Sequence, residues 1–193
     1  MERLLYEVDT IHTGVENPVA INDRVFYYDL NQNEMEQLWR KLDGTRIRLP
    51  IEEEIRMMIL REQAAGHELK LCIGTDSQVK GKHTQFATVI AVIRKGKGGF
   101  MYILPESTQW KMSIKQRMLL EVSKSIDAAY RICGVCTKYK VDMELHADIN
   151  TNPGFKSNDA LKEAMGYIMG MGFAFRAKPH AFASSSCANK LVQ

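Results

Sequence analysis

The stretch LCIGTDSQV, residues 71–79, decides how this chain is read. A short apolar run reaches Gly74 and then a carboxylate, Asp76, set between Thr75 and Ser77. A strand built for a core thus runs into a charge. Such a charge is costly unless it is solvated, hydrogen-bonded or bound to a cation. Working outward, LKLCIGTD reads as a first strand and the almost wholly apolar FATVIAVI (86–93) as a second, covered on both faces. The polar turn SQVKGKHTQ between them predicts a hairpin. Gly-rich GKGG (96–99) predicts the next turn, and FMYIL (100–104) a third antiparallel strand.

A long helix is expected from about Ser113 to Cys133, ended by Gly134, with Ile114, Met118, Val122, Ile126 and Ala129 at helical spacing. KVDMELHADIN then alternates strictly, with Asp142, Glu144, His146 and Asp148 on one side, and reads as a fourth strand. A loop rich in Asn, Pro and Gly leads to a helix over 158–169, the strand FAFRAKP and a final short helix through SSSCANKL. Strands joined through helices are usually parallel, so the order demands an α/β fold with a mixed five-stranded sheet. Upstream, residues 1–66 are expected to form an extension with two helices, EMEQLWRKL and PIEEEIRMMILREQAAG, leaving 67–193 as the main domain. The extension is expected to pack on that domain or on another subunit, which makes it a candidate surface for homo-oligomers.

Composition narrows the classes. The 193 residues are 45% hydrophobic, enough for one core. No window approaches the roughly 18 uninterrupted apolar residues of a membrane span, and MERLLYEVDTIH has no signal-peptide pattern. A cytoplasmic protein is the default expectation. Net charge is only +3, with basic clusters at Lys80 and Lys82 and at Arg94, Lys95 and Lys97. Cys133 and Cys136 form a CxxC without a second pair at zinc-site spacing, so reduced thiols are expected.

The carboxylates carry the chemistry. Asp76 and Asp148 are each placed at a strand end, and parallel neighbours would deliver both to the sheet edge where α/β sites form. Glu121 is the one acid between Ile114 and Ile126, beside the apolar stripe of the long helix. Like charges about 4 Å apart at an effective dielectric near 20 cost about 4 kcal/mol, so such a group is protonated or shares a cation. Oxygen ligands favour Mg²⁺ or Mn²⁺ over zinc, and a pair of such ions suits phosphodiester hydrolysis.

This order of elements and acids resembles the ribonuclease H-like superfamily. More closely, GTDSQ (74–78), HADIN (146–150), GYIMGMGF (166–173) and KPHAFASSSCANKL (178–191) resemble the YkuK-type family of predicted ribonuclease H-like proteins, over about residues 69–193. The resemblance implies a divalent-metal nuclease fold acting on nucleic acid, with Asp76, Glu121 and Asp148 at the metal positions and one or two Mg²⁺ or Mn²⁺ ions. Where many such folds place a fourth acid, this chain has Asn189, with Ser185 one turn before it. Ser77, Gln78, His146, His180 and Ser185 are weaker candidates for substrate contact. Plainer readings stand beside these: Asp76 as a turn acceptor, Asp148 as a loop cap, Glu121 as a surface acid and His146 as a structural histidine. The alternative function is a catalytically inactive ribonuclease H-like module for nucleic-acid binding or assembly.

Overall fold

A computed structural model describes residues 19–21, 24–26, 38–149 and 161–193. The chain divides into two compact units, 1–36 and 37–193, so the boundary expected at residue 66 is not where compactness divides it. In the first unit, β1 (Val19–Ile21) pairs antiparallel with β2 (Arg24–Phe26). The expected helix EMEQLWRKL begins outside the described residues, and its end is not helical: β3 (Arg40–Lys41) pairs with Ile103 and Tyr102. A sixth strand therefore joins the five expected from the sequence.

The second unit continues with α1 (Ile51–Ala64), β4 (Leu69–Lys80), β5 (His83–Arg94), β6 (Gly98–Thr108), α2 (Ile114–Lys138), β7 (Asp142–Ala147), α3 (Leu161–Gly170) and β8 (Ala174–Arg176). A π-helical segment, Ala183–Ala188, then runs directly into α4 (Asn189–Val192). The sheet order is β3-β6-β5-β4-β7-β8. β3 to β4 are joined antiparallel, whereas β7 and β8 run parallel to β4. This is the mixed α/β sheet that hairpins followed by helical crossovers require.

Two apolar layers sandwich the sheet. On one face Leu71 and Ile73 of β4 and Ile90 and Val92 of β5 meet Ile51, Ile55, Met58 and Ile59 of α1 and Met118, Val122 and Ile126 of α2. α1 is thus part of the main core. On the other face Cys72, Val89, Ala91 and Ile103 meet Ala183, Ala188 and Val192. Period-two alternation explains the split, since β4 and β5 are apolar on both faces.

Three expectations need correction. The polar turn after GTDSQ shrinks to Gly81 and Lys82, because β4 pairs with β5 from Leu69↔Arg94 out to Lys80↔His83. Gly81 takes φ +62 at the first turn position, where glycine suits a two-residue hairpin. Asp76 consequently lies inside β4, not at its end. Likewise α2 runs through Gly134 to Lys138, with Cys133 and Cys136 inside it: its buried stripe continues to Ile132 and Cys136, and the packing outweighs glycine's poor helix propensity. Ile114, counted in the apolar stripe, is 48% exposed.

Gly74 is required by a close approach. A Cβ there would lie 2.5 Å from the Ser184 backbone nitrogen and 2.9 Å from the Ala183 carbonyl carbon. Neither backbone atom can turn aside as a side chain would. Gly74→Ala is therefore expected to push the π-helical segment off β4 and to cost about 1–3 kcal/mol of stability. Urea unfolding checks this; a loss under about 0.5 kcal/mol, the usual range for a neutral surface change, would contradict it.

Candidate metal centre at the β4–β7 edge

The site begins with strand register. Parallel pairing of β4 with β7 runs from Lys70↔Asp142 to Thr75↔Ala147 and stops there. The next residues are Asp76 and Asp148, which follow directly after the last pair of that ladder. β4 continues past this point with only β5 beside it. Glu121 comes from α2, whose start is fixed by a reciprocal capping box between Ser113 and Gln116.

A chain of hydroxyls ties α2 to the sheet. Ser125 Oγ lies 2.9 Å from Thr75 Oγ1 and 3.0 Å from the Glu121 carbonyl oxygen. Thr75 Oγ1 in turn lies 3.0 Å from Thr88 Oγ1 on β5. One residue further along the same face, Ser77 Oγ donates to Glu121 Oε1 at 2.5 Å. Arg117, one turn before Glu121, donates to the Ser77 carbonyl at 2.8 Å. Alternation along β4 puts Thr75 and Ser77 on the α2 face and Asp76 on the opposite one, with Cys72 and Gly74.

The carboxylates strain against burial and one another. Asp76 is 9% and Glu121 7% exposed. Burial, and then Asp148, push Asp76 up to about 6, against the Ser77 amide, Arg117 and Lys178. For Glu121, burial is again the largest cause; Asp76 and Asp148 add to it, Ser77 and Arg117 oppose it, and the result is about 8. Lys178 Nζ sits 2.5 Å from Asp148 Oδ1. It is off hydrogen-bond alignment, so this buried oxygen has an ionic neighbour and no hydrogen bond.

Oxygen donors and mutual repulsion suit a hard divalent cation. The spacing is open, however. Among the described residues, the trio whose ligand atoms all lie within 4.8 Å of one another is Cys72, Glu144 and His146. Asp76, Glu121 and Asp148 are not gathered so closely, because they approach from two faces of β4 and from the loop after β7. One ion with ligands near 2.0–2.1 Å would need a side chain to rotate; two ions would span a wider set.

The Cys72 trio is poorly prepared for a metal. Burial works against ionised Glu144, but Arg176 and Lys70, at 3.1 and 2.8 Å, hold it down at about 2. His146 Nδ1 accepts from the Ala183 amide at 3.1 Å, which leaves the ring proton on Nε2. Burial raises the Cys72 thiol to about 11.

The remaining expected residues fall as follows. Asn189 opens α4 and accepts a hydrogen bond from the Gln193 amide one turn on, so its oxygen is engaged within its own helix. Ser77 orients Glu121 instead of facing solvent. Gln78 shares the Asp76 face, and its Oε1 is buried without a hydrogen bond. His146 is not placed to touch a substrate: it is 2% exposed, edge-on to Phe182 with ring centroids 4.9 Å apart, and bonded to Ala183. Its plainer structural reading holds because the π-helical segment needs an acceptor for that amide. Ser185 Oγ donates back to the Ala181 carbonyl at 2.9 Å. His180 is exposed in a turn closed by its own amide on Ala177. Sequence reading missed Arg117 and Lys178. The first carried a signal, an arginine four residues before Glu121; the second is brought to Asp148 only by folding.

Comparison with known proteins now bears on this edge. The family model described as "Ribonuclease H-like" matches residues 51–193. The chain belongs to the ribonuclease H-like family. Its family match begins at α1, consistent with that helix's place in the core. The chain is also 25% identical over 155 residues to "Uncharacterized protein YkuK" of Bacillus subtilis (strain 168), covering 73% of this chain and 88% of that protein. It is thus of the YkuK type within the ribonuclease H-like family. No solved structure matches it.

The raised carboxyls set a pH dependence. Unfolded, Asp76 and Glu121 lose their protons near pH 4; folded, they hold them to about 6 and 8. The folded state binds more protons in between, so these groups reduce stability as pH rises through that window. Buried His146, with its pKa lowered by burial, acts in the opposite direction. Comparing wild type with Glu121→Gln isolates the effect of Glu121. In urea unfolding with EDTA, wild type should lose stability relative to the variant as pH rises from 4.5 to 8, at a slope of at most about 1.4 kcal/mol per pH unit. A constant difference would show that Glu121 is not a buried, proton-holding acid.

Proposed function

We propose that this chain is a divalent-metal-dependent nuclease that hydrolyses phosphodiester bonds in RNA, an RNA–DNA hybrid or structured DNA. The observation that supports the proposal is that Glu121 of α2, itself buried, feels the charges of Asp76 on β4 and of Asp148 after β7, three acids from three separate elements. Asp76, Glu121 and Asp148 are the proposed ligands for Mg²⁺ or Mn²⁺, and two ions suit their spread better than one. When bound, such ions lower the pKa of water and stabilise a leaving oxygen. Ser77, held by Arg117, fixes the Glu121 carboxylate toward the edge. Lys178 neutralises Asp148 and must swing aside, or turn to a substrate phosphate, when a cation takes its place.

A second reading is supported by a specific contact. Lys178 already supplies Asp148 with a positive neighbour, and Asn189 brings no charge where a fourth acid would stand. Both features suit a ribonuclease H-like module that binds nucleic acid without cutting it.

The two readings separate in one assay. Labelled single-stranded RNA, RNA–DNA hybrid and branched DNA are incubated with the full chain and Mg²⁺ or Mn²⁺. Cleavage is expected with metal, absent with EDTA, and reduced at least about a hundredfold by Asp76→Asn, the scale of losing one stabilising contact to the reacting groups. Mn²⁺ should also raise the thermal midpoint of wild type and not of Asp76→Asn. Cleavage equal in Asp76→Asn would overturn the proposal, and metal-independent binding without cleavage would establish the second reading.

A further inference from the structure

The sequence carries two basic clusters, and the fold treats them differently. At the β5–β6 turn, Lys95 pairs with Glu68 at 3.0 Å and Arg94 lies 3.7 Å from Glu62. That cluster is largely matched. At the opposite end of the sheet the β4–β5 hairpin tip presents Lys80, Lys82 and His83, all exposed. Lys80 holds the Gln193 carbonyl at 2.9 Å. No acid occurs in the sequence between Asp76 and Glu106, or between Glu106 and Glu121. Glu106 itself is paired with Lys124 at 2.7 Å.

An aromatic stands at the same end. Val79 pairs with Thr84, Thr84 with Thr108, and the Trp110 amide donates to Thr108 Oγ1 at 3.3 Å. Trp110 is 64% exposed and Lys111 follows it, also exposed. Exposed Val79 and Ile114 lie on the adjoining elements. An indole left in water beside unmatched cations is the pairing that takes unstacked bases and phosphates together. Lys80 is four residues beyond Asp76 along β4, about 13 Å at strand rise.

We propose that Trp110, Lys82 and Lys111 form a docking surface for single-stranded nucleic acid that leads to the Asp76 edge. A base stacks on the indole, and the two lysines hold the flanking phosphates. The proposal deepens the nuclease reading by assigning it a substrate track, but the binding itself requires no cleavage.

Trp39, the other of the two tryptophans, is 2% exposed, so intrinsic fluorescence reports on Trp110. The full chain in EDTA is titrated with oligo(U), with oligo(dT) and with polyglutamate as a polyanion lacking bases. Quenching is expected with both oligonucleotides and not with polyglutamate; a difference between the first two reports on the sugar. Trp110→Phe should keep the affinity, and Trp110→Ala should weaken it about tenfold or more, followed by a label on the oligonucleotide. Lys82→Ala and Lys111→Ala should each lower the slope of log affinity against log salt by about 0.7, while Lys97→Ala leaves it unchanged. Circular dichroism confirms that each variant is folded. Equal quenching by polyglutamate, absence of oligonucleotide binding, or unchanged affinity in folded Trp110→Ala would overturn the proposal. Binding through Trp110 without cleavage with metal would leave this surface standing and the nuclease reading fallen; cleavage with affinity indifferent to Trp110, Lys82 and Lys111 would do the reverse.

Discussion

The structure depends on β4 having two neighbours of different length. β5 follows it for all twelve residues, antiparallel; β7 follows it for six, parallel, and stops at Ala147. From Asp76 onward β4 has a strand on one side only. That half-open stretch lets a carboxylate sit in a strand without being sealed in a core, and lets Asp148 and Glu121 approach it.

The same asymmetry organises the electrostatics. Behind the edge, a buried hydroxyl chain from Thr88 through Thr75 to Ser125 holds α2 against β4, and Ser77 completes it by gripping Glu121. Buried polar chains of this kind fix geometry because leaving any member unpaired is costly. Ahead of the edge, β4 carries on into an acid-free hairpin tip. Asp76 and the basic hairpin tip therefore lie along one strand, a few residues apart. On the reverse face, Gly74 admits the π-helical segment to van der Waals contact, and His146 receives the amide of Ala183. Residues of the GTDSQ and HADIN motifs thus serve the packing of the chain's end as much as the carboxylate edge.

Much of this was legible from residue order. The hairpin strands, the long helix, the alternating fourth strand and the parallel pairing of β4 with β7 follow from periodicity and from the rule that helical crossovers join parallel strands. What was misread shares one cause: local signals were overridden by pairing or packing at a distance. Polar SQVK joined a strand because β5 offered continuous partners. Gly134 did not end α2 because its buried stripe continued beyond it. The end of EMEQLWRKL became an edge strand because β6 had an unpaired side. His146, for which a structural role stood beside a weaker one at the substrate, accepts an internal amide.

The sequence by itself determined the fold class and the elements that carry Asp76, Glu121 and Asp148, since these rest on periodicities of 2 and 3.6 and on chain connectivity. Only the tertiary structure decided how far apart those acids stand, that Lys178 sits against Asp148, and which of two basic clusters is matched by acids. These are distances between residues remote in the chain, and they depend on strand lengths and side-chain packing that no local pattern encodes.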